Sequence, residues 1–235
     1  MTLKRPDGRK FDETRKIEAK INVIKRADGS AFFSFGKSKA IAAVYGPKQV
    51  IPKHKENPQK ALLRCNYDMT PFSVTERKRP GPSRRSKEIS HEITKALEPA
   101  LLLEQFPNTV IDVFIQIIEA DASTRCAAVN AAALALAAAG IPMKELVSSV
   151  SIGKLDKDLV VDVNKDEEDF TVSKGGKEIK AATDVATAFL SRSEKVSLLH
   201  MDGDLTSEEL KKALELAKKS CEKISKVQEK TLKEI

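Results

Sequence analysis

The spacing of apolar residues along the chain changes several times, and each change predicts an element. Residues 20–27 and 31–35 alternate apolar and polar positions around Asp28-Gly29, which predicts a β-hairpin. Residues 39–46 (KAIAAVYG) predict a third strand ended by Gly46-Pro47, and residues 62–68 a fourth. Between them, residues 47–60 hold three prolines and four lysines, an exposed basic loop. From about Ser83 to Gln105 the spacing lengthens. Ile89, Ile93, Leu97 and Leu101 recur every fourth residue, the stripe of a half-buried helix, with Pro99 predicted to kink or split it. Residues 109–119 (TVIDVFIQIIE) are apolar and β-branched, a buried strand. A tight turn over 120–124 leads into a helix over 125–139, closed by Gly140 with Pro142 beyond. That helix is small and apolar all round, so it is expected between two layers. Residues 145–153, 158–163, 185–190 and 195–201 read as strands, and 171–183 as a loop or an inserted hairpin. A capping box from Thr206 to Glu209 opens a final helix whose stripe is Leu210, Leu214, Ala217, Cys221 and Ile224. Neither a linker nor a short repeat interrupts the pattern, so residues 1–235 are expected to form a single mixed α/β domain.

Composition narrows the classes. A chain of 235 residues is long enough for a proper core without staples, and 41% hydrophobic with 32% charged residues excludes a disordered chain. No apolar run reaches the length of a membrane span. The first ten residues, MTLKRPDGRK, have no apolar stretch, so no secretory leader is expected and the location is expected to be cytoplasmic. Cys65, Cys126 and Cys221 are odd in number and far apart, which argues for a reducing compartment and against a disulfide framework or a zinc site.

Charge is unevenly distributed. Between Arg64 and Lys87 seven basic residues face two acids, most of them in 76-ERKRPGPSRRSK-87. Residues 162–169 (DVNKDEED) hold five acids against one lysine. Each run reads as solvated surface, or as one half of a site: a grip for a polyanion, and carboxylates for a hard cation such as Mg²⁺ or for proton transfer. The segment 119-EADASTRCAAVNAAALALA-137 adds a third candidate. Ser123 and Thr124 fall where the buried helix starts, where unpaired N–H groups and the positive end of the helix dipole favour an anion. Ordinary capping explains the two hydroxyls, but not Arg125 at the start of an alanine-rich helix. Arg84 and Arg85 likewise open a helix against its dipole, which makes sense if an anion is expected nearby.

Arg5–Arg9 (RPDGR), Ala27–Ser30 (ADGS), Ala42–Pro47 (AAVYGP), Pro71–Ser86 (PFSVTERKRPGPSRRS) and Glu119–Arg125 (EADASTR) together resemble the RNase PH family, most nearly the catalytic subunits of archaeal exosomes. The similarity runs in order over nearly the whole chain. It implies an RNase PH-like fold of two similar β-rich halves with packed helices, of the ribosomal protein S5 domain 2-like type. It implies a phosphorolytic 3′→5′ exoribonuclease that uses inorganic phosphate as co-substrate, with Mg²⁺ at the site, and runs in reverse as a tailing enzyme. It also implies an alternating hexameric ring with an inactive paralogue and RNA-binding cap subunits. By resemblance, Arg84 and Arg85 hold the RNA 3′ end and phosphate, and Ser123, Thr124 and Arg125 bind phosphate. Asp169 and Asp184 are the catalytic and metal-holding pair, while Arg64, Lys53 and His54 line the path of the RNA. Two departures are plain. Ser123 stands where the family has glycine, so the turn is either not left-handed or strained. Asp169 and Asp184 are fifteen residues apart where the family has six, so an inserted hairpin must bring Asp184 back. The competing readings are a non-catalytic RNA-binding ring subunit and a bacterial-type transfer-RNA trimming enzyme.

Overall fold

The computed structural model describes residues 5, 7–155, 158–169, 171–174, 177–180 and 182–234, with 171–174, 177–180 and 182 described by backbone alone. The first sheet contains β1 (Ile17–Ile21), β2 (Gly29–Phe35), β3 (Ser38–Gln49), β4 (Leu62–Met69) and β5 (Thr109–Glu119) in the order β1-β2-β3-β5-β4. All its pairs are antiparallel except β4 with β5, which are parallel and joined through α1 (Arg84–Leu97). The second sheet contains β6 (Val147–Leu155), β7 (Asp158–Val161), β10 (Ala182–Leu190) and β11 (Val196–Asp202) in the order β11-β10-β6-β7. Helix α2 (Thr124–Ala138) packs on strands of both sheets, and α4 (Ser207–Leu232) on β1, β6 and β10. Two mixed layers around one α2-centred core give the expected α/β architecture. The expected hairpin insertion is present as the pair β8 (Thr171–Lys174) and β9 (Lys177–Lys180); residues 175–176 between them lie outside the described residues.

Burial explains the apolar patterning. Cys126 through Leu136 of α2 are all buried, because the helix has a sheet on each side. Gly29 shows how close the approach is. A Cβ there would lie 2.3 Å from the backbone nitrogen of Ala139. Its value is thus contact with the end of α2 rather than the turn expected of Asp28-Gly29; β1 and β2 are joined by residues 22–28, and Gly29 is already the first residue of β2. Strand β3 also runs past Gly46-Pro47, its predicted end. A register irregularity between Tyr45 and Lys48 absorbs the proline, which has no N–H to give the ladder. Pro99 does end the helical run. α1 stops at Leu97, followed by 3-10 turns at Glu98–Ala100 and Leu103–Gln105, with Leu101 still buried. Within the acidic run, residues Lys165–Glu168 form a one-turn helix, α3, capped by Asn164 through a capping box with Glu167.

A buried ionic network ties the N-terminal segment to this acidic run. Arg5 makes a two-pronged pair with Glu167 at 2.6 and 2.9 Å. Arg15 binds both oxygens of Asp162 at 2.9 and 2.7 Å and reaches Asp121. Two of the five acids considered for metal or proton chemistry, Asp162 and Glu167, are therefore structural: they are buried and neutralised by arginine.

Candidate active site

The turn after β5 (Ala120, Ala122 and Ser123) and the start of α2 line one part of a cleft of about 280 Å³. The loop after β4 with the start of α1, together with β6, α3 and β10, completes it through Met69, Val74, Lys78, Arg85, Ser151, Lys165, Glu168, Asp184 and Ala186. The turn is built from two consecutive left-handed residues, Ala122 (φ 55°) and Ser123 (φ 54°). Of the two expectations for Ser123, strain is the one realised, at roughly 1–2 kcal/mol for a residue with a Cβ. Its side chain offsets this. Ser123 Oγ donates to the Val163 carbonyl (2.8 Å) and lies 2.6 Å from Ser151 Oγ. It consequently makes no capping bond to α2. Thr124 does not cap either; its Oγ1 accepts from the buried Tyr67 hydroxyl at 3.1 Å. Ordinary capping is thus excluded as the reason for these hydroxyls, and the first turn of α2 (Ser123, Thr124, Arg125, Cys126) opens into the cleft.

The same network fixes the two sides of the cleft to each other. Arg15 Nη1 donates to the Asp121 carbonyl at 2.5 Å while the rest of its guanidinium holds Asp162 and the Val163 carbonyl. Asp121 Oδ1 in turn accepts from the Lys165 N–H at 3.0 Å. The turn at the start of α2 and the acidic helix α3 are thereby held in one register.

Charge in the cleft is divided. Lys78, Arg85, Arg125 and Lys165 are its cations, and Glu168 and Asp184 its carboxylates. Arg125 Nε lies 2.7 Å from Glu92 Oε2, an ion pair whose alignment is not that of a hydrogen bond. Asp184 sits on β10 opposite Gly153 and Asp202. Its Oδ1 is buried without a hydrogen-bond partner. Burial, reinforced by Glu168, pushes its carboxyl up to about 6, against the opposing pull of Arg125 and His200.

The expected site residues separate into two groups. Arg85, Ser123, Thr124, Arg125 and Asp184 meet at the cleft. Arg84 and Arg85 are both exposed at the start of α1, which Ser83 caps, but Arg85 alone of the two lines the cleft. Asp169 closes α3, half exposed, with Lys165 Nζ 3.0 Å from its Oδ1, while Glu168 is the acid of α3 that lines the cleft. Arg64 makes a two-pronged pair with the buried Asp112 (2.5 and 2.9 Å) on β5. Lys53 and His54 lie on an exposed 3-10 turn, Lys53–Lys55, in the loop after β3. Residue-level reading missed Lys78, Lys165 and Glu92. Glu92 had a signal: it follows Arg85 by seven residues and so shares its helix face.

An anion cradle at a helix start, flanked by arginines and faced by a buried carboxylate, defines a class of site that handles phosphoryl groups. Two family descriptions match the chain: 3′ exoribonuclease family domain 1 over residues 13–142, and domain 2 over residues 145–220. The exosome complex component Rrp41 of Thermococcus kodakarensis is 50% identical over 231 residues, spanning 98% of this chain and 89% of that protein. The Rrp41 component of Methanopyrus kandleri is 46% identical over 230 residues, with 98% and 92% covered. Among solved structures, rice (Oryza sativa) Rrp46 superposes with a TM-score of 0.84 at 28% identity, covering 97% of this chain and all of that one. An Archaeoglobus fulgidus exosome chain, in a structure with RNA bound to the active site, shares the fold with a TM-score of 0.77 at 21% identity, with 94% and 91% covered. The chain belongs to the RNase PH family of 3′ exoribonucleases. It is by that membership a phosphorolytic 3′→5′ exoribonuclease.

Proposed function

We propose that this chain is the catalytic subunit of an archaeal-type exosome ring, degrading RNA from its 3′ end with inorganic phosphate and releasing nucleoside diphosphates. The observation that carries this reading is the cationic cleft at the start of α2, lined by Arg85, Arg125 and Asp184, whose Oδ1 is buried without a hydrogen-bond partner. Two anions must meet there, the attacking phosphate and the last phosphodiester, and they repel unless cations surround both. A phosphate oxygen attacks the terminal phosphorus, the bond from phosphorus to the penultimate 3′-oxygen breaks, and that oxygen takes up a proton. The reverse reaction extends RNA from nucleoside diphosphates. Ser123, Thr124 and Arg125 bind the attacking phosphate; Arg85, assisted by Arg84, holds the RNA end. Lys53 and His54, exposed, and Arg64, half-buried and paired with Asp112, are positions suited to backbone contacts farther along the strand, which give grip without sequence preference.

The residues present fit a divalent cation: Asp184 has an unpaired buried oxygen, and Glu168 is the acid closest to it in electrostatic effect. Asp184 with Asp169, or with Glu168 beside it, would hold Mg²⁺, which would supply charge stabilisation to the leaving oxygen. The relatives are named as exosome complex components, and in keeping with a place in such a complex this chain would alternate in a ring with an inactive RNase PH-like paralogue, capped by RNA-binding subunits. Its place is the cytoplasm, in keeping with three buried unpaired cysteines. Among the described residues no helix is long and apolar enough to cross a membrane. The test is shortening of an oligo(A) substrate by the full chain, alone and with its paralogue, as phosphate is varied. The proposal requires a rate that rises from zero with phosphate. Shortening at full rate without it, with monophosphate products, identifies a hydrolase instead.

A further inference from the structure

One cluster beside the cleft is absent from the family-derived assignment. Glu92 lies on α1 two turns after Arg85, and its two oxygens are shared. Oε2 is 2.7 Å from Arg125 Nε, and Oε1 is 2.8 Å from Nδ1 of His200 on β11. Three elements that are remote in sequence thus converge on one half-buried carboxylate. An unrestrained arginine side chain carries about 2 kcal/mol of rotamer entropy, which anion binding would have to overcome. With Nε facing Glu92, the Nη edge of Arg125 is the part of the guanidinium left to meet an anion in the cleft. The same contact fastens the start of α2 to the helix that carries Arg85, so the two arginine grips hold a fixed relation.

We propose that Glu92, held from its other side by His200, is the positioning residue for Arg125 and thereby sets the affinity of the cleft for inorganic phosphate. The inference rests on the phosphorolytic reading above and deepens it. Its direction is not trivial, since a carboxylate near an anion site also repels the anion. Preorganisation outweighs this repulsion because the charge of Glu92 is already shared between a guanidinium and an imidazole, whereas a mobile Arg125 is lost to the site altogether. One rival use of the cluster exists. Glu88, Glu92 and His200 can bring one ligand atom each within 4.8 Å of one another, as a cation site would need. A guanidinium 2.7 Å from the same Glu92 carboxylate competes with a metal ion for it.

The experiment is steady-state phosphorolysis of oligo(A) by the full chain assembled with its paralogue, with phosphate varied and RNA affinity measured separately by anisotropy. Glu92→Ala is expected to raise the KM for phosphate about tenfold, with RNA affinity unchanged. Glu92→Gln, which keeps the shape and an oxygen toward Nε, is expected to raise it less. His200→Gln, away from the cleft lining, gives a second variant should Glu92→Ala fold poorly, and is expected to change KM in the same direction. In an Arg125→Lys background, Glu92→Ala should add nothing, because the residue it positions is gone. An unchanged or lowered phosphate KM, an equal effect in the Arg125→Lys background, or a parallel loss of RNA affinity overturns the inference while leaving phosphorolysis standing. Calorimetric binding of Mn²⁺ or Zn²⁺ that Glu92→Ala abolishes also overturns it, in favour of the cation site. A wild-type rate indifferent to phosphate overturns the proposed function, and the inference with it.

Discussion

Arg125 and Asp184 mark opposite poles of the cleft, and their substitutions should fail differently. Arg125→Ala removes a phosphate partner and leaves Glu92 paired with His200 alone, so phosphorolysis should lose roughly 2–5 kcal/mol of transition-state stabilisation or binding. Saturation kinetics in phosphate checks this, and a loss below about threefold removes Arg125 from the site. Asp184 is held in an unfavourable state. Its folded pKa, about 6, lies above the ordinary 3.8, so the folded chain holds the proton more tightly than the unfolded chain. Stability therefore falls as pH rises from about 4 to about 6, and the deficit persists at neutral pH. That gap caps the penalty at about 3 kcal/mol. Asp184→Asn should accordingly raise the chemical-denaturation stability at pH 7 in metal-free buffer, by up to this amount, while turnover collapses and RNA still binds. A variant no more stable than wild type contradicts the burial argument; one with near-normal turnover takes Asp184 out of the reaction. How much of this was readable varied by residue. Ser123, Thr124 and Arg125 were legible from residue types at a helix start. Asp184 was only weakly legible, as one more acid after the 162–169 run, and family resemblance gave it its role, because a lone aspartate in a strand has no local signature. Glu92 and His200 were not legible as a pair, since α1 and β11 meet only in three dimensions.

At the scale of elements, the cleft depends on the ionic clamp between the N-terminal segment, the turn before α2 and the acidic helix α3. Arg15 holds Asp162 and Asp121 together while buried. Arg15→Ala leaves the buried Asp162 only the longer ion pair with Arg9 at 3.5 Å, which should cost up to about 3–5 kcal/mol. Turnover should fall further than expected from the folded fraction, because α3 and the phosphate turn lose their common anchor. Urea melts paired with activity measured on the folded population separate these two effects. Helix α3 also sets the choice of second acid. Neighbouring residues on a helix point about 100° apart, so one of Glu168 and Asp169 faces the cleft at a time. Turnover of Glu168→Gln against Asp169→Asn decides which one serves: loss in Asp169→Asn alone supports the family assignment, and loss in Glu168→Gln alone gives the role to the residue lining the cleft. The strong elements were legible. Strand β5, helix α2 and the capping box of α4 follow from β-branching, small apolar residues and cap chemistry, and lie within one or two residues of expectation. The errors share a cause. Asp28-Gly29 and Gly46-Pro47 carry turn-like chemistry, but at these positions packing against α2 and a bulge in β3 override it.

At the scale of the whole molecule, a net charge of +7 is modest, and its placement matters more than its size. Arg84 and Arg85 project from the start of α1, and 76-ERKRPGPSRRSK-87 runs along the mouth of the cleft, where Lys78 and Arg85 line it. An RNA strand held there by its phosphates binds more weakly as salt rises, because condensed counterions are released. Replacing Arg84 with alanine should lower the steepness of the log–log salt dependence by about one and weaken oligo(A), oligo(C) and oligo(U) about equally. A change confined to one sequence would mean base reading, which the exposed arginines do not suggest. The two sheets, one in each family domain, both pack on α2, and the cleft draws on both domains: Ser123–Cys126 from the first, and Ser151, Lys165, Glu168, Asp184 and Ala186 from the second. Neither half alone holds both the anion cradle and the carboxylates, which is why no short motif identified the site by itself.

Phosphorolysis requires that inorganic phosphate, and not water, break the RNA chain in this cleft. Incubating the assembled chain with oligo(A) and radiolabelled inorganic phosphate, then separating the products, tests it most directly. Label is expected in the β-phosphate of adenosine diphosphate, one equivalent per nucleotide removed, and is expected to be lost in Arg125→Ala. Unlabelled adenosine monophosphate as the main product would contradict it.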